Sequence, residues 1–319
     1  MRKTSANSFT PAYLVLGEEE LLQKAARAEE IIRHCALCPR RCGVDRTAGE
    51  KGFCRILDRP VVSSHGPHFG EEAPLVGRSG SGTIFFTGCN LGCIFCQNWT
   101  ISHALQGSEV STGRLAGYML ELQGLGCHNV NLVTPTHQVP MILRALVEAR
   151  REGLRLPLVY NCGGYEQLET IKLLDGVVDI YMPDFKYSDP GPARKYSQAK
   201  DYPEVAKAAI REMHRQVGDL AMDDDGIALR GLLLRHLVLP GGLAGTGEVV
   251  RFVARELSKD TYINIMGQYH PCYEAFNYPP LDRDIMAGEF EEAVAMAREA
   301  GLKRIDGVTV GVRARFRLF

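Results

Sequence analysis

The chain has 319 residues, of which 45% are hydrophobic and 24% charged, and its formal net charge at pH 7 is −1. This composition is ordinary for a globular protein, and the near-zero charge argues against electrostatic binding to nucleic acid or to an anionic membrane. No apolar run approaches the roughly 20 residues of a membrane span, and no apolar signal core follows residues 1–7, so we expect a cytoplasmic protein with neither kind of partner.

The N-terminal part of the chain carries four closely spaced cysteines. Cys35, Cys38, Cys42 and Cys54 follow the spacing C-x2-C-x3-C-x11-C, and glycines nearby permit tight turns around a metal. Four thiolates are enough to close a tetrahedral zinc site or to hold an iron–sulfur cluster. The alternative is a set of reduced packing cysteines, but a short glycine-rich loop can hardly bury four of them. We expect a metal here, and the spacing leaves zinc and iron–sulfur open.

A second run of cysteines follows a short apolar stretch at residues 81–87 that predicts a buried strand. Cys89, Cys93 and Cys96 have the spacing C-x3-C-x2-C. Three thiolates cannot close a tetrahedral zinc site, but they can hold three irons of a 4Fe–4S cluster and leave the fourth iron open. The loop leaves the carboxyl end of a strand, where α/β folds build active sites. Incidental core cysteines, or part of a redox or zinc site, are the alternatives.

From about residue 80 onward, the sequence alternates between strand and helix patterns, which residues 1–79 lack. Six βα units in one run imply parallel strands with right-handed crossovers. We therefore predict an N-terminal extension with a metal-binding module at 1–79 and a βα domain at 80–319. In chain order the predicted elements are strand 81–87, helix 114–125, strand 130–133, a helix with Pro140 in its first turn, strand 158–161, helix 165–174, strand 177–182, helix 192–216, strand 232–239, a helix around 249–257, strand 262–266 and a helix near 289–299.

The cysteine motifs and their context resemble a known family. The loop with Cys89, Cys93 and Cys96, with Phe95 before its last cysteine, resembles the signature of radical S-adenosylmethionine (radical SAM) enzymes. Residues 35–46 resemble the PflX-like group, which is related to pyruvate formate-lyase activating enzyme and other glycyl-radical activases. The resemblance covers nearly the whole chain from about residue 30. It implies a partial (β/α)6 barrel in which three thiolates bind a 4Fe–4S cluster and the open iron is chelated by SAM.

The same resemblance implies which residues contact SAM. Arg235 would meet the SAM carboxylate, and a carboxylate would satisfy an arginine inside an apolar strand. Asp184 and Lys186 match an Asp-x-Lys pair of the activases, with a surface ion pair as the alternative; for His270 the alternative is an ordinary rim histidine. The cofactor-binding residues implied in this way are Thr134, Thr136, Asn161, Asp184, Lys186, Arg235 and His270.

The implied reaction is the reductive cleavage of SAM to a 5′-deoxyadenosyl radical that abstracts hydrogen from a substrate. A flavodoxin- or ferredoxin-like one-electron reductant would supply the electron, and a protein substrate is expected, as for the glycyl-radical activases. Two alternatives remain: a radical SAM enzyme that modifies a small molecule or peptide, and a non-catalytic iron–sulfur or zinc protein that carries electrons or binds a partner. The βα series and Arg235 argue against the last, because a bare carrier needs no SAM site.

Overall fold

A computed structural model describes residues 9–306 of the chain and has a mixed α/β fold. Helices alternate with strands from about residue 81, as predicted. Within the described residues the α-helices are α1 Ala12–Val15, α2 Glu18–Ile31, α3 Ala73–Val76, α4 Trp99–Ser102, α5 Thr112–Gly124, α6 Val139–Arg151, α7 Leu168–Leu173, α8 Pro190–Ser197, α9 Tyr202–Val217, α10 Thr246–Phe252 and α11 Ala287–Glu299. None of them is both long enough and apolar enough to cross a bilayer.

A parallel sheet forms the centre of the fold. The strands are β1 Val61–His68, β2 Ser81–Phe86, β3 Ser108–Glu109, β4 Val130–Val133, β5 Leu158–Cys162, β6 Ile180–Pro183, β7 Ala221–Met222, β8 Ala228–Leu237, β9 Tyr262–Met266 and β10 Arg304–Asp306. Their order in the sheet is β10-β9-β8-β6-β5-β4-β2-β1-β3, and β7 pairs with β8. All pairs from β2 to β10 along this path are parallel. The predicted parallel α/β sheet is confirmed, and this order is consistent with a partial barrel.

The two faces of the sheet have separate apolar cores. The larger core lies between the sheet and the helices and includes alternate residues of the strands, such as Leu132, Tyr160 and Leu234. The other face carries a small cluster in which Leu75 of α3 packs against strand residues such as Val159. Because α3 lies ahead of β2 in the chain, the N-terminal region contributes to the inner face of the sheet.

Residues before the first predicted strand also join the sheet and the main core. Strand β1 pairs antiparallel with β2, and α2 packs against α6. Asp179 accepts hydrogen bonds from the backbone N–H groups of Ala12 (2.7 Å) and Leu158 (2.9 Å). The sequence did not predict α2, β1 or β10. Whether 1–79 and 80–319 are separate domains stays a prediction.

The predicted helix 192–216 is interrupted, because Gln198 adopts a left-handed backbone conformation with φ of 54°. Helix α8 therefore ends at Ser197, and α9 begins at Tyr202. The free carbonyls at the end of α8 are satisfied by the cysteine loop: Gly92 N–H donates to Ser197 O (3.3 Å). The interruption thus places the end of α8 against the predicted cluster loop.

Candidate active site

The loop with the three cysteines follows β2 directly, at the carboxyl end of the parallel strands. Gly88 opens the loop with φ of 83°. A Cβ atom there would lie 2.8 Å from the backbone oxygen of Cys54. Only glycine fits both this conformation and this contact, so the loop is shaped where the two cysteine segments of the chain meet.

Each of the three thiols has a polar neighbour. Hydrogen bonds to sulfur are one means by which a protein tunes an iron–sulfur centre. The contacts are Leu91 N–H to Cys89 Sγ (3.3 Å), the Ser197 hydroxyl to Cys93 Sγ (2.9 Å), and Cys96 Sγ beside Ser102 Oγ (3.2 Å). The end of α8 and the end of α4 therefore supply the surroundings of the loop.

Burial disfavours ionisation of the Cys89 and Cys93 thiols unless a positive charge is present. Burial raises the pKa of Cys89, and the neighbouring Cys93 and Cys96 raise it further. Burial likewise raises the pKa of Cys93 to about 11, against the opposing effect of Lys186. A cationic metal centre would reverse this preference, because metals bind cysteine as the thiolate.

The donor set fits an iron–sulfur cluster. Within residues 9–306, no three Cys, His, Asp or Glu side chains are grouped as they would be around a single metal ion. In a four-iron cluster, each thiolate binds a different iron, so the ligands need not converge on one point. Cys89, Cys93 and Cys96 offer three soft sulfur ligands for such a group.

Next to the cysteine loop lies a charge network built from the ends of β5, β6 and β8, whose charged side chains are 14–18% exposed. Arg235 donates to Asp184 Oδ1 (2.8 Å) and to Asn161 Oδ1 (2.7 Å), and Lys186 donates to Asp184 Oδ2 (2.6 Å). Burial opposes ionisation of Asp184, yet Arg235 and Lys186 hold its pKa below the usual value. Four of the residues that the sequence predicts therefore lie together, and their burial distinguishes Asp184 and Lys186 from a surface ion pair.

Two glutamates that sequence reasoning missed complete this network. Glu71 Oε2 lies 3.5 Å from Arg235 Nη1, and Glu72 accepts from the Asn264 amide (2.9 Å). Burial raises the pKa of Glu71 to about 7, although Arg235 opposes the shift. The second oxygen of Glu72 and both polar side-chain atoms of Asn131 are buried without a hydrogen-bond partner among the described residues. The two adjacent acids carry no local signal, and the distant indication in the sequence was Arg235, which needs anionic partners.

The remaining predicted contacts are more scattered. Thr134 has a left-handed backbone, with φ of 59°, and its N–H donates to Asn161 O (2.8 Å). The Thr136 hydroxyl is buried and donates to Glu166 Oε1 (2.7 Å). His270 is exposed, with its ring nitrogen 3.3 Å from the Gln97 amide beside the cysteine loop. Thr134 thus lies near Asn161, whereas Thr136 is committed to a different partner.

Two further titratable groups, Glu166 and His137, are buried close to the N-terminal segment. Glu166 accepts from Thr136 and from the Tyr160 hydroxyl (3.0 Å), and burial raises its pKa to about 7. His137 contacts Thr87 O through Nε2 (2.8 Å), and burial lowers its pKa to about 4. A neutral His137 therefore supports the backbone at the start of the cysteine loop.

The four N-terminal cysteines are neighbours in space. Burial raises the pKa of Cys38, and the nearby Cys54 and Cys35 add to this effect. Burial also raises the pKa of Cys54, where Cys35 and Cys42 contribute in the same direction. The Phe53 N–H donates to Cys42 Sγ (3.4 Å). The four thiols are therefore near one another, but within residues 9–306 they are not grouped as they would be around a single metal ion, and metal binding there stays a prediction.

Arg40 ties this segment to the cluster loop. Its guanidinium donates to the backbone oxygens of Asn90 (2.9 Å), Ser197 (3.3 Å) and Gln198. It also lies 3.9 Å from the centre of the Phe53 ring. Arg40 thus links the N-terminal segment, the cysteine loop and the end of α8.

Comparison with known proteins finds a family model and relatives that match this chain. Residues 83–221 match the family model of the Radical SAM superfamily. The uncharacterized protein MJ0674 of Methanocaldococcus jannaschii is 33% identical over 291 residues, which cover 88% of this chain and 79% of that protein. A second uncharacterized protein of that organism, MJ0808, is 24% identical over 85% of this chain and 79% of its own length.

A solved structure has a similar fold. The crystal structure of a radical SAM methyltransferase from Sphaerobacter thermophilus superimposes with a TM-score of 0.50 and 13% sequence identity, over 96% of this chain and 94% of that chain. At this identity the likeness concerns the fold alone. It accords with the parallel sheet described above.

Proposed function

The chain belongs to the radical SAM superfamily, and we propose that it is an activating enzyme of the PflX-like kind that abstracts hydrogen from a polypeptide. Membership of the superfamily implies the cleavage of SAM through a radical mechanism. The observation that carries the proposal is the group of three thiols beside the Asp184–Lys186–Arg235 network, in which Cys93 is buried and Cys89 and Cys96 are half-buried.

In this proposal the thiols of Cys89, Cys93 and Cys96 hold a 4Fe–4S cluster. When bound, the cluster and SAM supply one-electron bond cleavage and a carbon radical that removes hydrogen from the substrate. The chain's own residues bind and orient these groups. Asp184 holds the Lys186 ammonium at 2.6 Å, which fixes a positive charge next to Cys93. Such fixed charges need no rearrangement when the ligand arrives.

Arg235 is the proposed partner of the SAM carboxylate. Its Nε and Nη2 atoms are held by Asp184 and Asn161, and its longest contact is the one between Nη1 and Glu71 (3.5 Å). A carboxylate can exchange with this weaker contact and gain a charge-assisted hydrogen bond. Asn161 would contact the ribose of SAM. The segment with Thr134 and Thr136 would contact the SAM ammonium group, and His270 would lie near the adenosyl end.

The N-terminal segment is the second part of the proposal. Cys35, Cys38, Cys42 and Cys54 would bind zinc or a second iron–sulfur cluster, because four neighbouring thiols in a small segment suit a closed structural site. The segment would cover the cysteine loop while substrate is bound, since Arg40 joins it to Asn90. A flavodoxin- or ferredoxin-like reductant would supply the electron.

An anaerobic experiment tests the proposal. The purified protein is reconstituted with iron and sulfide, metals are counted per chain, and 5′-deoxyadenosine is measured after addition of SAM and dithionite. Replacing Cys89, Cys93 or Cys96 by Ala should each abolish its formation, because three thiolates are needed to hold the cluster. The matched control is Cys127→Ala, since Cys127 is also a buried free thiol.

Substantial 5′-deoxyadenosine from any of the three variants would overturn the cluster assignment. The metal count separately tests the N-terminal site. Wild-type protein that binds only one cluster and no zinc would remove the second metal from the proposal. Loss of both centres in Cys38→Ala would show that the two sets of cysteines are not independent.

A further inference from the structure

An exposed group of stacked side chains lies beside the cysteine loop and has no role in the reaction proposed above. The Tyr273 ring stacks on Trp99, with centroids 5.5 Å apart, and on His103, at 4.6 Å. Trp99 and Tyr273 remain 39% and 36% exposed. The Arg55 guanidinium joins the group by donating to the backbone oxygen of His103. We call Arg55, Trp99, His103 and Tyr273 the aromatic patch.

The aromatic patch is attached to the cysteine loop by direct contacts. The His103 ring lies 3.1 Å from the backbone oxygen of Cys93. The N–H of Glu274, next to Tyr273, donates to Ile94 O (2.9 Å). Trp99 begins α4, whose last residue, Ser102, contacts Cys96 Sγ. The residues that carry the exposed rings, or their immediate neighbours in the chain, therefore contact the loop of the proposed cluster ligands directly.

Tyr273 is held in an unfavourable backbone conformation. Its φ is 53°, a left-handed value that costs a bulky residue about 1 kcal/mol or more. The conformation coincides with the stacking of its ring on Trp99 and on His103 and with the exposure of Trp99 and Tyr273 to solvent. Strain of this kind is retained where the surroundings fix a side chain in place, and it clusters at functional surfaces.

The composition of the aromatic patch is that of a protein-binding surface. Trp, Tyr and Arg are the residues most enriched at the centres of protein interfaces. In the adjoining segment, residues 40–59, the exposed charged side chains are four Lys and Arg against two Asp and Glu, whereas Arg46 is buried. Lys51 and Arg55 are both exposed there, and Glu274 is the acidic neighbour on the other side of Tyr273. An acidic partner is therefore favoured by charge.

We propose that the aromatic patch docks a protein of net negative charge that carries a one-electron redox group, and that the electron passes from there to the cluster held by the adjacent cysteines. This inference rests on the proposed function. The carrier loses one electron and is oxidised, and the cluster gains one electron and is reduced. No atom is transferred, so the partner needs only to bring its redox group close to the patch.

The test uses the full chain and a flavodoxin as the carrier. Two variants alter the aromatic patch, Arg55→Glu and Trp99→Ala. Two matched controls make the same kinds of change at the opposite end of the sheet, Arg78→Glu and Phe69→Ala. Arg78 and Phe69 are exposed next to Gly77 and Gly80, which precede β2 at its amino end. Binding of oxidised flavodoxin is measured by calorimetry, and SAM cleavage is measured separately with photoreduced flavodoxin and with dithionite.

Both patch variants should bind flavodoxin at least tenfold more weakly than wild type, and both controls should bind normally. Wild-type binding should weaken as salt rises, with a smaller salt effect in Arg55→Glu. Cleavage driven by flavodoxin should fall in the patch variants, while cleavage driven by dithionite stays unchanged, because the small reductant needs no docking surface.

Two results would overturn the docking proposal. One is unchanged flavodoxin binding in both patch variants. The other is a parallel loss of dithionite-driven cleavage, which would mean that the patch only supports the cysteine loop. If wild-type protein fails to cleave SAM with dithionite, the proposed function fails instead, while the binding measurements still decide whether the surface docks the carrier.

Discussion

At the scale of single residues, largely buried ion pairs are the main feature of this site. Asp184 is held ionised by Arg235 and Lys186, whereas burial favours the protonated form of Glu71. Each of these carboxyls lies within 3.5 Å of the same arginine. The difference follows from the number of cations that each contacts: Asp184 contacts two and Glu71 one. Only the first ion pair is strong enough to offset the cost of burial.

The state of Glu71 should make stability depend on pH. Its pKa is raised from 4.5 to about 7 in the folded protein, so between these values the folded state keeps a proton that the unfolded state has lost. The contribution of this proton to the free energy of unfolding is fully present below pH 4.5 and is lost as the pH rises through 7. The total loss is on the order of 3 kcal/mol at most. Glu71→Gln should reduce this loss, which can be measured by urea unfolding at pH 5 and pH 8.

Glu166 and Asp179 also have pKa values raised to about 7 by burial, so some pH dependence should remain in the variant. Glu166→Gln provides the comparison, because that carboxyl lies outside the Arg235 network. If Glu71→Gln and wild type lose equal stability between the two pH values, Glu71 is ionised in the folded protein and the argument from burial is wrong.

The sequence predicted those site residues that belong to motifs of a known family. Asn161, Asp184, Lys186 and Arg235 were predicted and lie together. Glu71 was not, because two adjacent acids in a loop resemble an ordinary solvated turn. Nothing in the local pattern reveals that the loop turns inward to meet a strand residue 164 positions later.

At the scale of elements, short segments outside the main βα series position the site. Helix α3 has only four residues, Ala73–Val76, yet its Leu75 is fully buried on the inner face of the sheet. The interruption at Gln198 places Ser197 against Cys93. Strand periodicity predicted the βα elements well, whereas neither of these features has a periodic signal, and Gln is not a residue that marks a left-handed turn.

Leu75→Ala should destabilise the fold by about 2 to 5 kcal/mol, because it opens a cavity among packed apolar side chains. The loss can be measured as a shift in the urea midpoint of the purified protein. Val15→Ala is the control, since Val15 is 75% exposed and should change stability by less than about 0.5 kcal/mol. A loss below about 1 kcal/mol for Leu75→Ala would contradict the packing described here.

At the scale of the whole molecule, residues early in the chain complete the layer of helices that packs on the sheet. Helix α2 buries Leu21, Ala25 and Ala28 in the main core, and Tyr13 is fully buried beside it. Arg144 of α6 forms a two-point ion pair with Glu29, at 2.8 and 2.6 Å. The sequence did not reveal this role, because amphipathic helices do not indicate which surface they cover.

A variant that begins at residue 32 should therefore lose at least about 5 kcal/mol of stability or become insoluble, because it exposes the surface that several fully buried side chains cover. Circular dichroism during thermal unfolding gives the measurement. A variant that begins at residue 9 is the control, as it removes none of the contacts described. Similar unfolding temperatures for the two variants would mean that α1 and α2 contribute little to the core.

The hydrogen bond between Ala12 and Asp179 joins residues 167 positions apart, and this distance has a kinetic consequence. During synthesis the N-terminus emerges first, but its partners in α6 and β6 emerge much later. Contacts of such long range form slowly, because a large loop must close before they stabilise anything. The first helices of the chain can therefore dock only after α6 and β6 have been made, and until then the surface of α6 that they cover is available to chaperones.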